Sequence, residues 1–378
     1  MDFDYVVMPA VILVVGILVA WMCVRRMLSL SSRGYGKWRR VVERIVLSTV
    51  VVLVAAVAGS STFNAIAIRV FRATNPPMGN LYTVNGHKMQ LFCMGTGSPT
   101  IVLESGLGLG TDLLSWGGLQ PELAKTTHVC SYDRAGLGWS EPQPGPSDAD
   151  HIAANLHELL AQAKVSGPIV LMGHSMGGMY IRDYAAHYPE NLSGLILMDS
   201  SIPLQFMADP SGGPNLTMLL VIYKTIYIVG VPRLIGQCSH PIPGMPIHAG
   251  KILAQDGCQP HLNAILHEFQ NVKMSAEETI HSGPFGALPI LIISEDTAKA
   301  RSMQNPPKQV VEWANTWDQW QEDLKKLSTR SRRIIAKGSG HEVHGDREDL
   351  VLREVPLFIE QIRGTAPQPA NYGSTSTE

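Results

Sequence analysis

The sequence predicts an α/β fold: a mostly parallel central sheet with helices on both faces, an inserted cap, and two transmembrane helices in front of the sheet. Two observations predict the sheet. From about residue 80, short apolar runs such as TIVLES and PILIIS alternate with amphipathic stretches such as DADHIAANLHELLAQA. The runs from residue 100 onward are almost continuously hydrophobic, which is typical of parallel strands buried on both faces.

The N-terminal region predicts a membrane anchor at residues 1–72. Residues 6–24 and 45–68 carry no charge, and each stretch is long enough to span a bilayer. The loop between them is strongly basic, so the positive-inside rule places it in the cytoplasm. Everything after about residue 70 is then extracytoplasmic, on the periplasmic or extracellular side of an integral membrane protein. A single span with a cytoplasmic domain is the main alternative; a cleaved signal peptide fits less well, because the N-terminus is acidic.

Residues 202–286 interrupt the alternation of strands and helices. This segment is rich in Pro, Gly and Met, and its helical pattern is weak. It is predicted to be a cap or lid inserted into an α/β core made of residues 80–201 and 287–363. A cap over the C-terminal edge of the sheet would cover the place where open α/β sheets bind ligands. The polar tail, 364–378, is predicted to be disordered.

The chain has five cysteines and a net charge of −2. Cys93 and Cys130 lie in apolar, strand-like stretches and are predicted to be buried free thiols. Cys238 and Cys258 lie in loop-rich sequence and could form a disulfide outside the cytoplasm. Cys23 lies in the first apolar stretch. The near-neutral charge gives no indication of a nucleic-acid partner.

The segment GHSMG, residues 173–177, matches the pattern G-x-S-x-G between an apolar strand and a helical stretch. The glycines allow a strained turn that lifts the Ser175 hydroxyl above the sheet edge. The amides at the start of the following helix point to the same place, where they would stabilise a developing negative charge. This context indicates a serine nucleophile.

From about residue 80 to 363 the chain resembles the α/β-hydrolase family, of the type that carries a cap. Besides GHSMG, the resemblance rests on ESGLGLG (104–110), SYDRAGLGWSEP (131–142) and GSGHEVHGDRED (338–349). It implies a carboxylesterase-like serine hydrolase that works through an acyl-enzyme intermediate. Ser175 is then the nucleophile and His341 the general base. His344 is the alternative base.

The resemblance also assigns the oxyanion hole to backbone amides. One amide is that of Met176, the residue after the nucleophile, and the other is that of Leu107. Ser105 stands where the family usually has a histidine. Because the donors are backbone groups, this difference leaves the hole in place and removes a side chain that supports the loop.

The resemblance leaves two candidates for the acid that orients His341. The family usually places it a few residues after the strand that follows the cap, where SEDT offers Asp296. Some capped members place it at the end of the strand after the nucleophile helix, where LILMD ends in Asp199. The usual position falls nearer Thr297 than Asp296, so Asp199 is the leading candidate and Asp296 the alternative.

The sequence indicates no metal or organic cofactor, because its histidines lack paired metal-ligand spacing and it has no dinucleotide or phosphate-loop motif. The expected substrate is a small-molecule ester, and the Met and Leu residues of the cap favour an apolar acyl or alcohol part. An amidase or aminopeptidase, a thioesterase and a C–C bond hydrolase would use the same triad. A non-catalytic binding protein on a hydrolase scaffold is the alternative from another class.

Overall fold

A computed structural model describes residues 3–108, 116–207, 214–240, 254–255, 258, 261–303, 305–369 and 372–378. It divides into two compact units. One contains Met1–Pro76 with Thr217–Leu262, and the other contains Pro77–Leu216 with Asn263–Glu378. The predicted cap is therefore shared: its middle groups with the N-terminal helices, and its two flanks group with the sheet. Within the cap, residues 208–213, 241–253, 256–257 and 259–260 lie outside the described residues.

The second unit, called the catalytic unit below because it carries the residues predicted to be catalytic, is built on one sheet. Its described strands are β1 Asn80–Val84, β2 His87–Met94, β3 Thr100–Glu104, β4 Val129–Tyr132, β5 Ile169–His174, β6 Leu192–Met198, β7 Ile290–Ser294, β8 Ser331–Ile335 and β9 Thr375–Thr377. Their spatial order is β1-β2-β4-β3-β5-β6-β7-β8-β9. β2 pairs antiparallel with β1 and β4, and all other neighbours are parallel. The predicted α/β fold is confirmed.

The described helices are numbered in chain order across both units. They are α1 Phe3–Ser29, α2 Lys37–Thr74, α3 Leu119–Leu123, α4 Ala149–Gln162, α5 Met176–His187, α6 Leu204–Met207, α7 Pro214–Val229, α8 Val231–Leu234, α9 Leu262–Gln270, α10 Val272–Thr279, α11 Ala298–Arg301, α12 Lys308–Asp323, α13 Val343–Asp346 and α14 Glu348–Arg363. A 3₁₀ helix, Leu324–Leu327, follows α12.

Helices cover both faces of the sheet, which explains the continuous apolar runs. Successive residues of a strand point to opposite faces. Leu171 of β5 and Leu195 of β6 belong to a buried cluster that includes the apolar side chains of α4. Their neighbours Val170 and Ile196 belong to a second cluster, which includes the apolar side chains of α14. Because these strands are parallel, their carboxyl ends lie at one edge of the sheet, where loops can bring side chains from several strands close to one another.

The prediction of a disordered tail is wrong for its last residues. β9 pairs in parallel with β8, matching Arg333 with Thr375 and Ile335 with Thr377. The Lys325 ammonium donates to the Gly373 carbonyl and to the Thr375 hydroxyl, at 2.7 and 2.8 Å. An edge strand offers unpaired backbone groups that any extended segment can bond, whatever its composition. Residues 370–371 lie outside the described residues.

The prediction that Cys93 and Cys130 are free thiols is also wrong. They face each other across the antiparallel pair β2 and β4, with their Cα atoms 4.0 Å apart, and they form a disulfide. The register that brings them together depends on the pairing of two strands that are distant in sequence. Cys238 and Cys258 form a second disulfide, and Cys23 is a buried free thiol.

In the other unit, α1 and α2 pack together as a helical hairpin. A Cβ atom on Gly16 would lie 3.2 Å from a Val54 methyl and 3.3 Å from the Ala58 Cβ, so the glycine allows close packing. Both helices are long and apolar enough to cross a membrane. Their most apolar 18-residue windows are only 17% and 6% buried. Helices in a protein core would be mostly buried, whereas helices that face lipid are exposed in this way. The two helices are therefore candidate membrane spans.

Candidate active site

Ser175 occupies a sharp turn between β5 and α5. Its backbone has φ 54° and ψ −124°, a region that side-chain-bearing residues rarely adopt. The turn is too tight for side chains at its glycines. A Cβ atom on Gly173 would lie 2.5 Å from the carbonyl oxygen of Gly177. A Cβ atom on Gly177 would lie 2.4 Å from the carbonyl oxygen of Glu104. The glycines of the motif are therefore required by close backbone approach, and the strained turn sets the direction of the Ser175 side chain.

His341 lies in the loop between β8 and α13, next to this turn. Its Nε2 is 3.0 Å from the Ser175 Oγ, and its Nδ1 is 2.6 Å from the Asp199 Oδ2. Because an ionised carboxylate only accepts, Nδ1 carries the proton and Nε2 is free to accept from the serine hydroxyl. The fold thus brings together residues that follow β5, β6 and β8.

Asp199 is fully buried and directly follows β6, with a positive φ of 39°. Its second oxygen, Oδ1, accepts hydrogen bonds from the Glu295 amide and from the Trp317 indole N–H, both at 3.0 Å. These donors fix the carboxylate with Oδ2 towards His341. Trp317 has no counterpart among the sequence predictions. The only signal was the helical spacing of Trp313, Trp317 and Trp320, which usually indicates a packed helix face.

Asp296, the alternative acid, makes its hydrogen bonds elsewhere. Its Oδ1 accepts from the Ala298 amide at 3.0 Å, and its Oδ2 accepts from the Gly338 amide at 2.9 Å. Gly338 lies in the loop that carries His341. Asp296 therefore supports that loop through backbone groups and does not contact the imidazole through any described hydrogen bond.

The charge state of His341 reflects two opposing effects. Burial acts to lower the pKa of His341, but the hydrogen bond and the negative charge of Asp199 raise it above its ordinary value of 6.5. Glu295 lies nearby, and burial together with the charge of Asp199 raises the pKa of its carboxyl to about 7. Glu295 therefore changes charge close to neutral pH, beside an imidazole whose pKa is raised.

Two further histidines pack beside His341. The His174 Nε2 donates to the His341 carbonyl oxygen at 2.9 Å. Burial, helped by the charges of the neighbouring histidines, lowers the pKa of His174 to about 3. Burial and the charge of His341 lower the pKa of His344 to about 4. Both rings are therefore neutral near pH 7. Of the two late histidines, the described hydrogen bonds connect His341, and not His344, to Ser175.

The predicted oxyanion donors lie at the same edge of the sheet. Met176 is the first residue of α5, and Leu107 lies in the turn after β3. Between β3 and this turn, the Ser105 hydroxyl accepts a hydrogen bond from the Trp116 indole N–H at 3.0 Å. Leu109 and Gly110, the end of the predicted loop motif, lie outside the described residues.

Arg134 supports this loop, here called the oxyanion loop and defined as residues 105–108. Its guanidinium is 3% exposed and donates to the carbonyl oxygens of Ser105 and Gly106, both at 2.7 Å. It also donates to Glu104 at 2.6 Å. Arg134 lies in the segment SYDRAGLGWSEP, on which the family resemblance partly rests. The structure shows that it holds the backbone of the oxyanion loop itself, which the family usually supports with a histidine.

Glu268, on α9, completes this network. Its Oε1 and Oε2 accept hydrogen bonds from the Arg134 Nε and Nη2 at 2.7 and 2.9 Å. Its Oε2 also accepts a hydrogen bond from the Gly108 amide at 2.8 Å. Burial raises the pKa of Glu104 despite the nearby Arg134, and the Tyr132 hydroxyl donates to the Glu104 carboxylate. Glu268 was missed by the sequence argument, because it lies in the predicted cap, where the chain has no recognisable motif.

Among the described residues, three groups place possible metal ligand atoms within 4.8 Å of one another. They are Cys93 with His128 and Cys130, His174 with Glu342 and His344, and Asp150 with Asp183 and His187. The first group contains a disulfide. The second lies beside Ser175, and there His174 already donates to the His341 carbonyl. These groups could offer nitrogen and oxygen ligands, but the Ser175–His341–Asp199 chain needs no metal.

Comparison with known proteins identifies the fold family. A family model described as the alpha/beta hydrolase fold matches residues 99–218, the part of the chain from β3 to the start of α7. The chain has the α/β-hydrolase fold. The predicted resemblance is confirmed at the level of the fold.

Solved structures of α/β hydrolases superpose on most of the chain. A membrane phospholipase A is 20% identical, with a TM-score of 0.51 over 86% of this chain and 99% of that one. An epoxide hydrolase from Vigna radiata is 14% identical, with a TM-score of 0.53 over 75% of this chain and 97% of that one. At these identities the similarity shows the fold alone.

Two relatives are longer proteins. An uncharacterized protein of Schizosaccharomyces pombe is 26% identical over 382 residues, which cover 88% of this chain and 66% of the relative. An uncharacterized vacuolar membrane protein of Saccharomyces cerevisiae is 24% identical over 278 residues, which cover 65% of this chain and 42% of the relative. The chain thus matches less than two thirds of either relative.

Proposed function

We propose that this α/β hydrolase is a membrane-anchored serine hydrolase that cleaves carboxylic esters through an acyl-enzyme intermediate. The observation that carries the proposal is the continuous hydrogen-bonded chain from Asp199 through His341 to Ser175. A serine hydroxyl is a weak nucleophile without an adjacent base, and an imidazole is an effective base when a buried carboxylate fixes its tautomer.

In the proposed reaction, the Ser175 Oγ attacks the ester carbonyl carbon while the His341 Nε2 takes the hydroxyl proton. The carbonyl oxygen gains negative charge and accepts hydrogen bonds from the amides of Met176 and Leu107. Collapse of the tetrahedral intermediate breaks the bond to the alcohol oxygen, which receives the proton from His341. Water then attacks the acyl-enzyme with the same base, and the products are a carboxylic acid, an alcohol and free Ser175.

Two features support a preorganised site for this reaction. Asp199 is held by Trp317 and the Glu295 amide, so the imidazole does not have to reorient during proton transfer. Arg134 and Glu268 bind the backbone of the oxyanion loop, so the Leu107 amide keeps its direction as charge develops. Such fixed donors supply a large part of catalysis in hydrolases.

The location of the reaction is proposed to be extracytoplasmic. The basic loop between α1 and α2 favours a cytoplasmic position for that loop, which puts the catalytic unit on the opposite side. Two disulfides support the same side, because disulfides persist mainly in oxidising compartments. The substrate is proposed to have an apolar acyl or alcohol part, in keeping with the Met and Leu residues of the predicted cap.

A fluorophosphonate probe tests the nucleophile directly. The full-length protein in detergent should be labelled covalently, and labelling should disappear in Ser175→Ala. Ser140→Ala, which removes a buried hydroxyl that bonds to backbone groups, serves as the control and should still be labelled. Failure to label the folded wild-type protein would refute the serine-hydrolase proposal.

A panel of p-nitrophenyl esters tests the substrate class. Esters of increasing acyl length should be hydrolysed, with kcat/KM rising from acetate to medium-length chains as more apolar surface is buried. A p-nitroanilide of the same acyl group provides the comparison with amides. Faster cleavage of the anilide than of the matched ester would contradict the esterase assignment while leaving the nucleophile intact.

A further inference from the structure

Helix α7 from Thr217 onward, the short helix α8 and the residue after α8 belong to the unit that contains α1 and α2, and they expose many large apolar side chains. Those at least 40% exposed are Met218, Leu219, Val221, Ile222, Tyr223, Ile226, Leu234 and Ile235. Lys224 is the only charged residue of α7. Soluble surfaces rarely present contiguous apolar patches of this kind without a partner.

The length of α7 indicates what kind of partner fits. Its 16 residues extend about 24 Å at 1.5 Å per residue. That is shorter than the hydrocarbon core of a bilayer, about 30 Å thick, so α7 is too short to span it upright. Short apolar segments of this length are typical of interfacial or re-entrant elements, which lie in one leaflet.

The C-terminal end of α7 is bonded to α2 in a manner suited to a water-poor environment. The hydroxyls of Ser60 and Ser61 donate to the carbonyl oxygens of Val229 and Ile228, at 2.6 and 3.0 Å. The Asn64 amide donates to the Tyr227 carbonyl oxygen at 2.9 Å. The last carbonyls of a helix have no partner within the helix, and in lipid no water can satisfy them. Side chains of α2 supply the missing donors.

The position of these contacts along α2 indicates how deep α7 lies in the bilayer. Ser60, Ser61 and Asn64 lie in the second half of the uncharged stretch 45–68, which ends just before Arg69 and Arg72. The Arg233 Nε donates to the Asn64 Oδ1 at 3.0 Å, which places a guanidinium at the same level. Basic side chains at this level can reach lipid headgroups while their stems lie against apolar surface. The contacts therefore correspond to the boundary between headgroups and acyl chains.

We propose that α7 and α8 are embedded in the lipid bilayer beside α2, at the headgroup–acyl boundary of the leaflet from which the C-terminal end of α2 emerges. This membrane element is additional to the two spans. The proposal rests on the crossing of the membrane by α1 and α2, and it is independent of the hydrolase activity.

Photo-crosslinking of the full-length protein in phosphatidylcholine vesicles tests this contact. p-Benzoylphenylalanine replaces Ile222 or, as a matched control, Trp313, an exposed apolar residue of α12 in the catalytic unit. The two residues are 47% and 51% exposed. After irradiation, intact-mass spectrometry should show lipid adducts on the first variant at a level several-fold above the second. Equal adduct levels would overturn the proposal.

Hydroxyl-radical footprinting of the wild-type protein in the same vesicles gives an answer even if a substituted chain fails to fold. Met218 of α7 and Met303 of the catalytic unit are 60% and 55% exposed, so they should be oxidised at similar rates in water. Lipid around α7 should slow the oxidation of Met218 several-fold relative to Met303. Similar rates for the two methionines would show that α7 is solvated and would refute the proposal. Neither readout depends on whether Ser175 is a nucleophile.

Discussion

Arg134 and Glu268 form a buried, two-pronged ion pair that joins a loop beside the serine turn to helix α9. The Nε–Oε1 and Nη2–Oε2 distances are 2.7 and 2.9 Å, and both side chains are at most 3% exposed. All five N–H donors of a guanidinium can be used in such a site, and here the remaining ones go to Glu104, Ser105 and Gly106. A residue from the predicted cap thus helps to fix the oxyanion loop.

Glu268→Gln should therefore lower kcat with little change in KM. The substitution keeps the shape of the side chain and removes its charge, so the Gly108 amide and Arg134 lose their strongest acceptor. We expect kcat to fall by at least roughly 10-fold, less than the roughly 10²–10³-fold cost of deleting an oxyanion donor outright. Steady-state hydrolysis of a p-nitrophenyl ester measures both constants.

Glu278→Gln is the matched control for that variant. Glu278 lies on the adjacent helix α10, and its Oε2 accepts from the Asp150 amide at 3.2 Å, away from the oxyanion loop. Its substitution should leave kcat close to that of the wild type. If the two variants lose activity equally, Glu268 acts only through the general packing of this segment and not through the oxyanion loop.

The acid of the triad is tested by comparing two asparagine variants. Asp199→Asn removes the charge that holds His341 in its Nδ1–H tautomer, and kcat should fall by roughly 10⁴-fold. Asp296→Asn keeps an oxygen acceptor for one of the two backbone amides that Asp296 binds and touches no group of the imidazole, so its loss should be far smaller. Thermal unfolding of both proteins controls for folding. A greater loss in the Asp296 variant would transfer the acid role to Asp296.

The pH profile of kcat/KM should show an acid limb governed by His341. The imidazole must be neutral to accept the serine proton, and Asp199 raises its pKa above 6.5, so activity should fall as the pH drops through that raised value. Glu295 also raises the pKa of His341 when ionised. Glu295→Gln should therefore move the acid limb to lower pH. A limb that stays in place would show that Glu295 is not coupled to His341.

The sequence was sufficient to predict the parallel sheet and the sharp turn at Ser175, because both depend on local patterns. Buried parallel strands require continuous apolar runs, and close backbone approach requires glycine at 173 and 177. The resemblance to the family narrowed the acid to Asp199 or Asp296, because it places the acid after one of two strands. The choice between them depends on a contact with His341 that spans 142 residues of chain.

Other features depend on contacts that the sequence does not encode locally. Trp317 and Glu268 reach the site from helices whose apolar spacing gave no functional signal. The pairing of Cys93 with Cys130 follows from the register of β2 against β4, and β9 forms because the edge of β8 is open. In each case the deciding interaction joins segments that are distant along the chain.

The orientation of the membrane anchor can be measured with fusions. Alkaline phosphatase fused after Thr74 should be active in a Gram-negative host, because the enzyme needs the oxidising periplasm, whereas a fluorescent protein inserted after Gly34 should fluoresce in the cytoplasm. The basic loop predicts this pattern. An inactive phosphatase fusion, confirmed by immunoblotting to be present in the membrane, would reverse the orientation.

Thiol counting gives a second and independent measure of where the catalytic unit lies. If everything after α2 is extracytoplasmic, the Cys93–Cys130 disulfide of the catalytic unit and the Cys238–Cys258 disulfide of the other unit are both oxidised, and Cys23 is the one cysteine left free. Alkylation in denaturant without reductant should then add one label by intact mass, and five after reduction. A Cys23→Ser variant should take up none before reduction. Labelling of all five thiols without reductant, in cells quenched at once with acid, would place the catalytic unit in a reducing compartment and would contradict the fusion result expected above.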